Sequence, residues 1–256
     1  MEQYLKDGER IDEIGFGNLR LIQKPEDFCY GIDAVLLATF AEIGKDSKVI
    51  DLGTGTGIIP MILSHRTLAA EIVGVEIQAD SYERAVRNVA LNELDRRVRM
   101  IHSDVKNLID GKLVNRYCFD AVLSNPPYVK GDGGLKNRQG AKAIARHETT
   151  ASLSDFISEA ALLLRDRGDF YMVHRPSRLV DISILCRQYK LEPKEMRFVS
   201  PNRESAPNIL LIHCVKHGRP ELKILDPLYV YREDGSYTDE IMKLYERKTE
   251  GSPSTK

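Results

Sequence analysis

Asn125-Pro126-Pro127-Tyr128 closes the apolar run Phe119-Asp120-Ala121-Val122-Leu123-Ser124. A short buried strand ending this way sets an amide, carbonyls that cannot join a helix, and an aromatic ring at one sheet edge. Open α/β folds bind ligands at that edge. Each proline lacks an N–H, so the Asn125 side-chain oxygen and the Pro126 carbonyl are acceptors with few competing donors. Two acceptors suit the two hydrogens of a planar NH2 group, and holding both turns the nitrogen lone pair out of conjugation toward an electrophile. Tyr128 can stack on the ring or amide bearing the amine, a contact of about 1–3 kcal/mol for a base. The substrate nitrogen would itself be the nucleophile, so no reactive Ser, Cys or Lys is required. The same four residues also read as an ordinary turn after a strand, and the rest of the chain has to decide.

Upstream, Lys48-Val49-Ile50-Asp51-Leu52 runs into Gly53-Thr54-Gly55-Thr56-Gly57 and then Ile58-Ile59-Pro60-Met61. This reads as a buried strand, a glycine turn and an apolar helix. Gly53, Gly55 and Gly57 can take positive φ and admit a ligand close to the backbone, with Thr54 or Thr56 as candidate caps of the helix. Roughly twenty residues on, Glu71-Ile72-Val73-Gly74-Val75-Glu76 ends in an acid, followed by Ile77. A carboxylate there chelates a ribose diol in nicotinamide- and S-adenosylmethionine-binding folds alike. A third strand, Val98 to His102, ends in Ser103-Asp104-Val105, where Asp104 can accept from an adenine amino group while Val105 lies against the ring. An adenosine bearing a sulfonium fits this cradle better than a dinucleotide. A pyrophosphate wants Gly-x-Gly-x-x-Gly at a helix N-terminus, and the acid Asp51 beside the turn would repel phosphate.

Together these segments resemble the successive motifs of class I S-adenosylmethionine-dependent methyltransferases acting on exocyclic or amide nitrogen. More narrowly, Phe28-Cys29-Tyr30-Gly31-Ile32-Asp33-Ala34, Ala145-Arg146-His147-Glu148 and His174-Arg175-Pro176-Ser177-Arg178-Leu179 resemble the bacterial tRNA1(Val) adenine-N6 methyltransferase family, from about Gly8 to Tyr237. The resemblance implies S-adenosyl-L-methionine as cofactor and S-adenosyl-L-homocysteine as product. It places Gly53, Gly55 and Gly57 at the methionine part, Glu76 at the ribose and Asp104 at the adenine, with Asp51, Thr54, Ile77 and Val105 completing the cradle. Asn125 and Pro126 would hold the target amine and Tyr128 would stack on the base. Tyr30 and Asp33 would lie over the amino-acid end of the cofactor, Asp33 near its ammonium or, equally, as N-cap of a helix Ala34 to Ala41. The substrate implied is an adenine in the anticodon loop of valine tRNA. Protein glutamine N5-methylation of a release factor, or methylation of another RNA base amine, is the alternative.

The elements that must position these groups give an α/β fold: a Rossmann-like, seven-stranded, mostly parallel sheet with a terminal antiparallel hairpin. Residues 1–30 read as a β-hairpin extension flanking Gly15-Phe16-Gly17-Asn18 and a candidate part of the substrate lip. Residues 31–218 are expected to form the methyltransferase domain that the resemblance implies, and residues 219–256 a tail packed on it, the last of them expected to be disordered. Helices are expected at about 57–66, 79–93 and 153–165 and from Pro176, with strands at 169–174, 195–199 and 208–215.

The 256 residues suffice for one enlarged α/β domain. Four cysteines lie far apart in sequence without Cys-x-x-Cys or clustered His, which speaks against a disulfide framework or a metal site. Neither a signal-peptide core nor a bilayer-length apolar run is visible, so a cytoplasmic protein is expected, as a monomer or weak homodimer. A net charge of −1 gives no global footprint for nucleic acid. Locally, Lys130, Lys136, Arg138, Lys142 and Arg146 face only Asp132 in a glycine-containing segment, a candidate clamp for tRNA phosphates. A nicotinamide dehydrogenase would leave Asn-Pro-Pro-Tyr unexplained, and a non-catalytic RNA-binding protein would bind cofactor without turnover.

Overall fold

The computed structural model describes residues 2–26, 31–128 and 151–246. In chain order the elements are β1 (Arg10–Glu13), β2 (Arg20–Gln23), α1 (Ile32–Phe40), β3 (Lys48–Leu52), α2 (Ile58–Arg66), β4 (Glu71–Glu76), α3 (Ala79–Leu91), β5 (Val98–His102) and β6 (Phe119–Ser124). After the undescribed stretch come α4 (Leu153–Leu163), β7 (Leu164–His174), α5 (Leu179–Gln188), β8 (Leu191–Ser200), β9 (Ile209–Lys216), β10 (Lys223–Ile224), β11 (Leu228–Tyr229) and α6 (Asp239–Leu244).

Seven long strands form the expected sheet in the order β8-β9-β7-β6-β3-β4-β5, parallel except where β9 runs antiparallel between β7 and β8. The sequence reading stopped at seven. Two two-residue strands of the tail, β10 and β11, pair in parallel with the outer edge of β8 and blunt an edge that would otherwise stand open. Residues of β3 are buried from Val49 to Leu52 and those of β4 from Ile72 to Glu76, as strands covered on both faces must be. One core joins α1 and α2 to the hairpin and the tail through Ile14, Phe16, Leu21, Leu228, Ile241 and Tyr245. The other packs α4 and α5 against the opposite face through Phe156, Ile157, Ala160, Ile182 and Cys186. Cys186 and Cys214 are neighbours in that second core, and both are free thiols.

Three expectations change. Helix α4 ends at Leu163 rather than near Arg165, because β7 begins at Leu164 to pair with Phe119 of β6. The stretch from Pro176 opens as a single 3-10 turn, Pro176–Arg178, before α5 proper. The hairpin turns its tip away from the carboxyl edge of the sheet. Its tip rests at the opposite edge, with Phe16 packed on His65, in the last turn of α2, and on Tyr245.

What holds the hairpin is a side-chain ladder from α3. Asn88 Oδ1 accepts from the Ile22 N–H at 2.6 Å, and Asn92 Oδ1 accepts from the Arg20 N–H at 2.9 Å while its Nδ2 donates to the Arg20 carbonyl at 2.7 Å. The spacing works because four helical residues rise about 6 Å and two strand residues about 6.8 Å. Below the hairpin, the buried Glu9 carboxylate takes Arg84 and Arg87, which hold its pKa down at about 2. Asn88 also donates to the Thr56 carbonyl at 2.9 Å, so one buried amide joins the hairpin to the glycine turn. Asn88→Ala would leave a buried N–H and a buried carbonyl unpaired, a cost of about 3 kcal/mol. It should lower Tm by roughly 6–12 °C, read by thermal denaturation followed by circular dichroism.

Candidate active site

The parallel strands β3 to β6 all deliver their carboxyl ends to one edge, and the sequence-predicted residues meet there. At the centre is Asp51 of β3, fully buried, with neither carboxylate oxygen hydrogen-bonded. Beside it the buried Thr54 Oγ1 is also without a partner. The turn over them is fixed by its backbone: Gly53 N–H and Thr54 N–H both donate to the Val75 carbonyl, at 3.0 and 2.8 Å, and Gly57 N–H donates to the Thr54 carbonyl. Gly53 and Gly57 sit at φ +77° and +85°. A Cβ on Gly57 would stand 2.9 Å from the Met100 side chain, whereas one on Gly55 would meet nothing within 4 Å. Space therefore opens over Gly55. Neither threonine caps the helix, contrary to expectation. The N-cap of α2 is Gly57 in the left-handed conformation, and Thr54 instead turns inward above Gly74, where any side chain would collide with it.

Glu76, at the end of β4, is buried and accepts from Gly55 N–H through Oε2 and from Gln78 N–H through Oε1, each at 2.8 Å. Burial raises its pKa and those two bonds oppose the rise. Asp51 goes further. Burial pushes it up to about 7, the Thr54 hydroxyl opposes this in part, and the charge of Glu76 adds to it. Ile77 is exposed beside Glu76. Asp104 is engaged locally, accepting from Lys106 N–H at 3.0 Å to cap the 3-10 turn Val105–Asn107, whose Val105 is buried. On α4, Glu159 is also pushed up to about 7 by burial, against the pull of Arg116.

The Asn125 turn lies next to this cradle because β6 is the neighbour of β3. Ser124 Oγ donates to the Leu52 carbonyl at 3.0 Å, a buried bond that locks the two strand ends together. Asn125 and Tyr128 are half-buried, Pro126 is buried and Pro127 exposed. The Tyr128 hydroxyl donates to Asp33 Oδ2 at 2.8 Å and lies 3.4 Å from Asn125 Oδ1. Burial, then the Asp33 charge and its hydrogen bond, hold this phenol well above its usual range, so it stays a donor. Asp33 is not an N-cap: α1 begins at Ile32 with Gly31 as N-cap, and Asp33 lies in the first turn, where a carboxylate is favoured by the helix dipole.

Two residues outside the predicted site set complete the surroundings of Tyr128. His174 meets its ring edge-on at 4.9 Å, and the Arg175 guanidinium lies over its face at 5.1 Å. The signal was available, since an apolar strand ending His174-Arg175-Pro176 beside β6 must deliver these side chains next to the Asn125 turn. His174 Nδ1 accepts from the Arg175 N–H at 2.8 Å, and burial, with Arg178 and Arg175 nearby, lowers its pKa to about 4. It is a neutral ring with its acceptor nitrogen engaged, not a base. Tyr30, Lys130, Lys136, Arg138 and Arg146 lie outside the described residues. A cavity of about 630 Å³ sits at the opposite edge of the sheet, lined by Tyr117, Tyr189 and Lys216. There the Lys216 ammonium caps α4 through the Ala161 and Leu164 carbonyls, away from this chemistry. Among the described residues, no group of three or more His, Cys, Asp or Glu could hold a metal, and no helix is long and apolar enough to cross a membrane.

With this geometry in place, comparison with known proteins gives consistent matches. The chain matches the methyltransferase small-domain family over residues 19–181. It is 29% identical over 228 residues to the tRNA1(Val) (adenine(37)-N6)-methyltransferase of Porphyromonas gingivalis, covering 84% of this chain and 86% of that protein. It is 28% identical over 208 residues to the protein of the same name from Pedobacter heparinus, covering 81% and 85%. Among solved structures, a predicted O-methyltransferase from Agrobacterium tumefaciens superposes with a TM-score of 0.68 at 21% identity, over 84% of this chain and 95% of that one. Geranyl diphosphate C-methyltransferase from Streptomyces coelicolor, solved with S-adenosyl-L-homocysteine, gives 0.52 at 13% identity, over 72% and 75%. These structural likenesses show a shared fold.

The raised pKa of Asp51 makes a prediction for stability. The folded state keeps its proton up to about pH 7 while the unfolded chain releases it near 3.8. Stability is therefore lost as pH rises between those values, and the loss is complete above 7. In the ligand-free protein Asp51→Asn removes this loss. The variant should be more stable than the parent at pH 8 by on the order of 2–4 kcal/mol, the gap closing toward pH 4. Chemical denaturation at a series of pH values measures it, and a gap that does not vary with pH would mean the carboxylate is not the source.

Proposed function

The chain belongs to the methyltransferase small-domain family, and we propose that it transfers a methyl group from S-adenosyl-L-methionine to N6 of adenine 37 in valine tRNA. The observation that carries this reading is the juxtaposition of the Asn125-Pro126-Pro127-Tyr128 turn with the unpartnered Asp51 and Thr54, locked to one another by the Ser124–Leu52 bond. A site for a planar amine thus adjoins a site for a cation. The relatives' names supply the base and the tRNA.

The residues fit the cofactor. Asp51 and Thr54 are buried polar groups lacking partners, and the cost of an unsatisfied buried group is itself a reason for a ligand to bind. The Gly55 opening admits a close approach, Glu76 offers carboxylate oxygens to ribose hydroxyls, and Val105 with Asp104 flanks the adenine. The cofactor supplies an electrophilic methyl on a positively charged sulfur. This chain's residues supply alignment. Asn125 Oδ1 and the Pro126 carbonyl accept the two N–H bonds of the target amine, and Tyr128, pinned by Asp33, presents its ring to the extruded base, as base-modifying enzymes require. Reorienting the Tyr128 hydroxyl wholly onto Asp33 frees Asn125 Oδ1 for the amine. The proton lost afterwards passes to water, since His174 has its acceptor nitrogen engaged. Proximity and orientation can contribute about 7–11 kcal/mol in favourable cases.

Incubation of the protein with methyl-labelled cofactor and unmodified valine tRNA, followed by nucleoside analysis, should give N6-methyladenosine. Label on a release-factor glutamine instead would move the substrate to protein. Asn125→Ala should lower kcat by at least about 100-fold with cofactor Kd within severalfold, whereas Asp51→Ala should weaken cofactor binding by at least about tenfold. Equal loss of cofactor binding in both variants would overturn this division of labour.

A further inference from the structure

The tail and the loop after β8 add a surface at the same edge that the chemistry above does not use. Because β8 runs parallel to β7, the loop 201–208 emerges at the carboxyl edge, on the far side of β9 from His174 and Arg175. Strand β11 pairs Leu228 with Val199 and Tyr229 with Ser200. The chain then follows that loop, with Val230 N–H donating to the Ser200 carbonyl at 3.0 Å and Tyr231 N–H to the Pro201 carbonyl at 2.8 Å. On this platform the Arg203 guanidinium lies over the Tyr229 ring at 5.2 Å. Next to it Tyr231, 44% exposed, stacks on Tyr237 at 5.4 Å.

Arg203 repeats the arrangement at Arg175. Both are exposed, both have the guanidinium over a tyrosine ring, and among the described residues neither has a carboxylate partner. Several arginines elsewhere on the surface are neutralised by a carboxylate: Arg99 by Glu71, Arg165 by Asp120, Arg187 by Glu192, Arg197 by Glu240 and Arg232 by Asp239. Two strand spacings, roughly 10 Å, separate β7 from β8, so the two free guanidiniums stand along one edge within reach of one nucleic-acid strand. An arginine held on a ring keeps its N–H edge pointing outward for phosphate, and the neighbouring exposed ring offers a stacking face for a base.

We propose that Arg203 on Tyr229, with Tyr231 beside it, forms an RNA-backbone contact that continues from Arg175 on Tyr128, so that the C-terminal tail is part of the substrate surface. This rests on the RNA reading of the active site and extends it to where the strand runs on leaving the Asn125 pocket.

The test is steady-state methylation of full-length valine tRNA by the full chain at several salt concentrations, comparing the parent with Arg203→Ala, Arg203→Lys and, as a control on an ion-paired arginine, Arg99→Ala. Arg203→Ala should raise KM for tRNA about 5- to 20-fold, leave kcat and cofactor Kd within twofold, and flatten the dependence of log KM on log salt by about one charge. Arg203→Lys should keep the parental salt slope with an intermediate KM, and Arg99→Ala should match the parent. A parental KM and salt slope in Arg203→Ala, with the parent active on tRNA, would overturn the tail contact and leave the substrate reading standing. Absence of label in tRNA from the parent would overturn both.

Discussion

A carboxylate with no partner at the centre of the sheet is the constraint around which the rest of this structure is arranged. Asp51 lies in β3 between β4 and β6, shut off from solvent, and neither it nor the Thr54 hydroxyl beside it closes a hydrogen bond. A fold tolerates such a group only where something else compensates. Here the compensation is packing on every side. Gly74 leaves room for Thr54, Gly57 leaves room for Met100, and two N–H bonds to the Val75 carbonyl hold the turn in place. The apolar strands supply the stability and the edge holds the deficit, which is the arrangement expected where stability is given up for binding.

The same edge couples the two halves of the site. Asp33 comes from the first turn of α1 and Tyr128 from the turn after β6, and their hydrogen bond spans 95 residues of sequence. In the resemblance Asp33 was assigned either to the cofactor's ammonium or to a helix cap, and the structure gives it a third partner. A carboxylate has room for more than one donor, so contact with Tyr128 and with a nearby cation are compatible. Asp33 thus ties the first turn of α1 to the Asn-Pro-Pro-Tyr turn although the two lie far apart in the chain.

Much of this was legible beforehand because it rests on local chemistry. Apolar runs that end in an acid or in Asn-Pro-Pro place those groups at strand ends whatever the surrounding topology, and parallel pairing then collects the ends at one edge. What could not be read was pairing at a distance. Nothing near Thr54 announces that Gly74 faces it, and the Asn88 and Asn92 ladder depends on a match between helix rise and strand rise that no local pattern displays. The hairpin is legible as a hairpin, but the direction its tip takes is not. Its strands fix their own register, whereas its placement is set by α3. The tail strands escaped notice for a similar reason: two-residue strands have no periodicity, and β8 templates them.

The last step concerns charge. A chain of net charge −1 looks unsuited to a polyanion, yet net charge counts groups already committed to each other. Arg84 and Arg87 are consumed by Glu9, and Arg178 by Asp181; to a phosphate these are nearly neutral. What a phosphate meets is the cation whose nearest neighbour is a ring rather than a carboxylate, because a ring orients a guanidinium without cancelling it. Arg175 and Arg203 meet that condition while exposed, both on the carboxyl edge of the sheet, where the Asn125 turn lies. A chain near neutrality can in this way present, along one edge, cations that pairing leaves uncancelled.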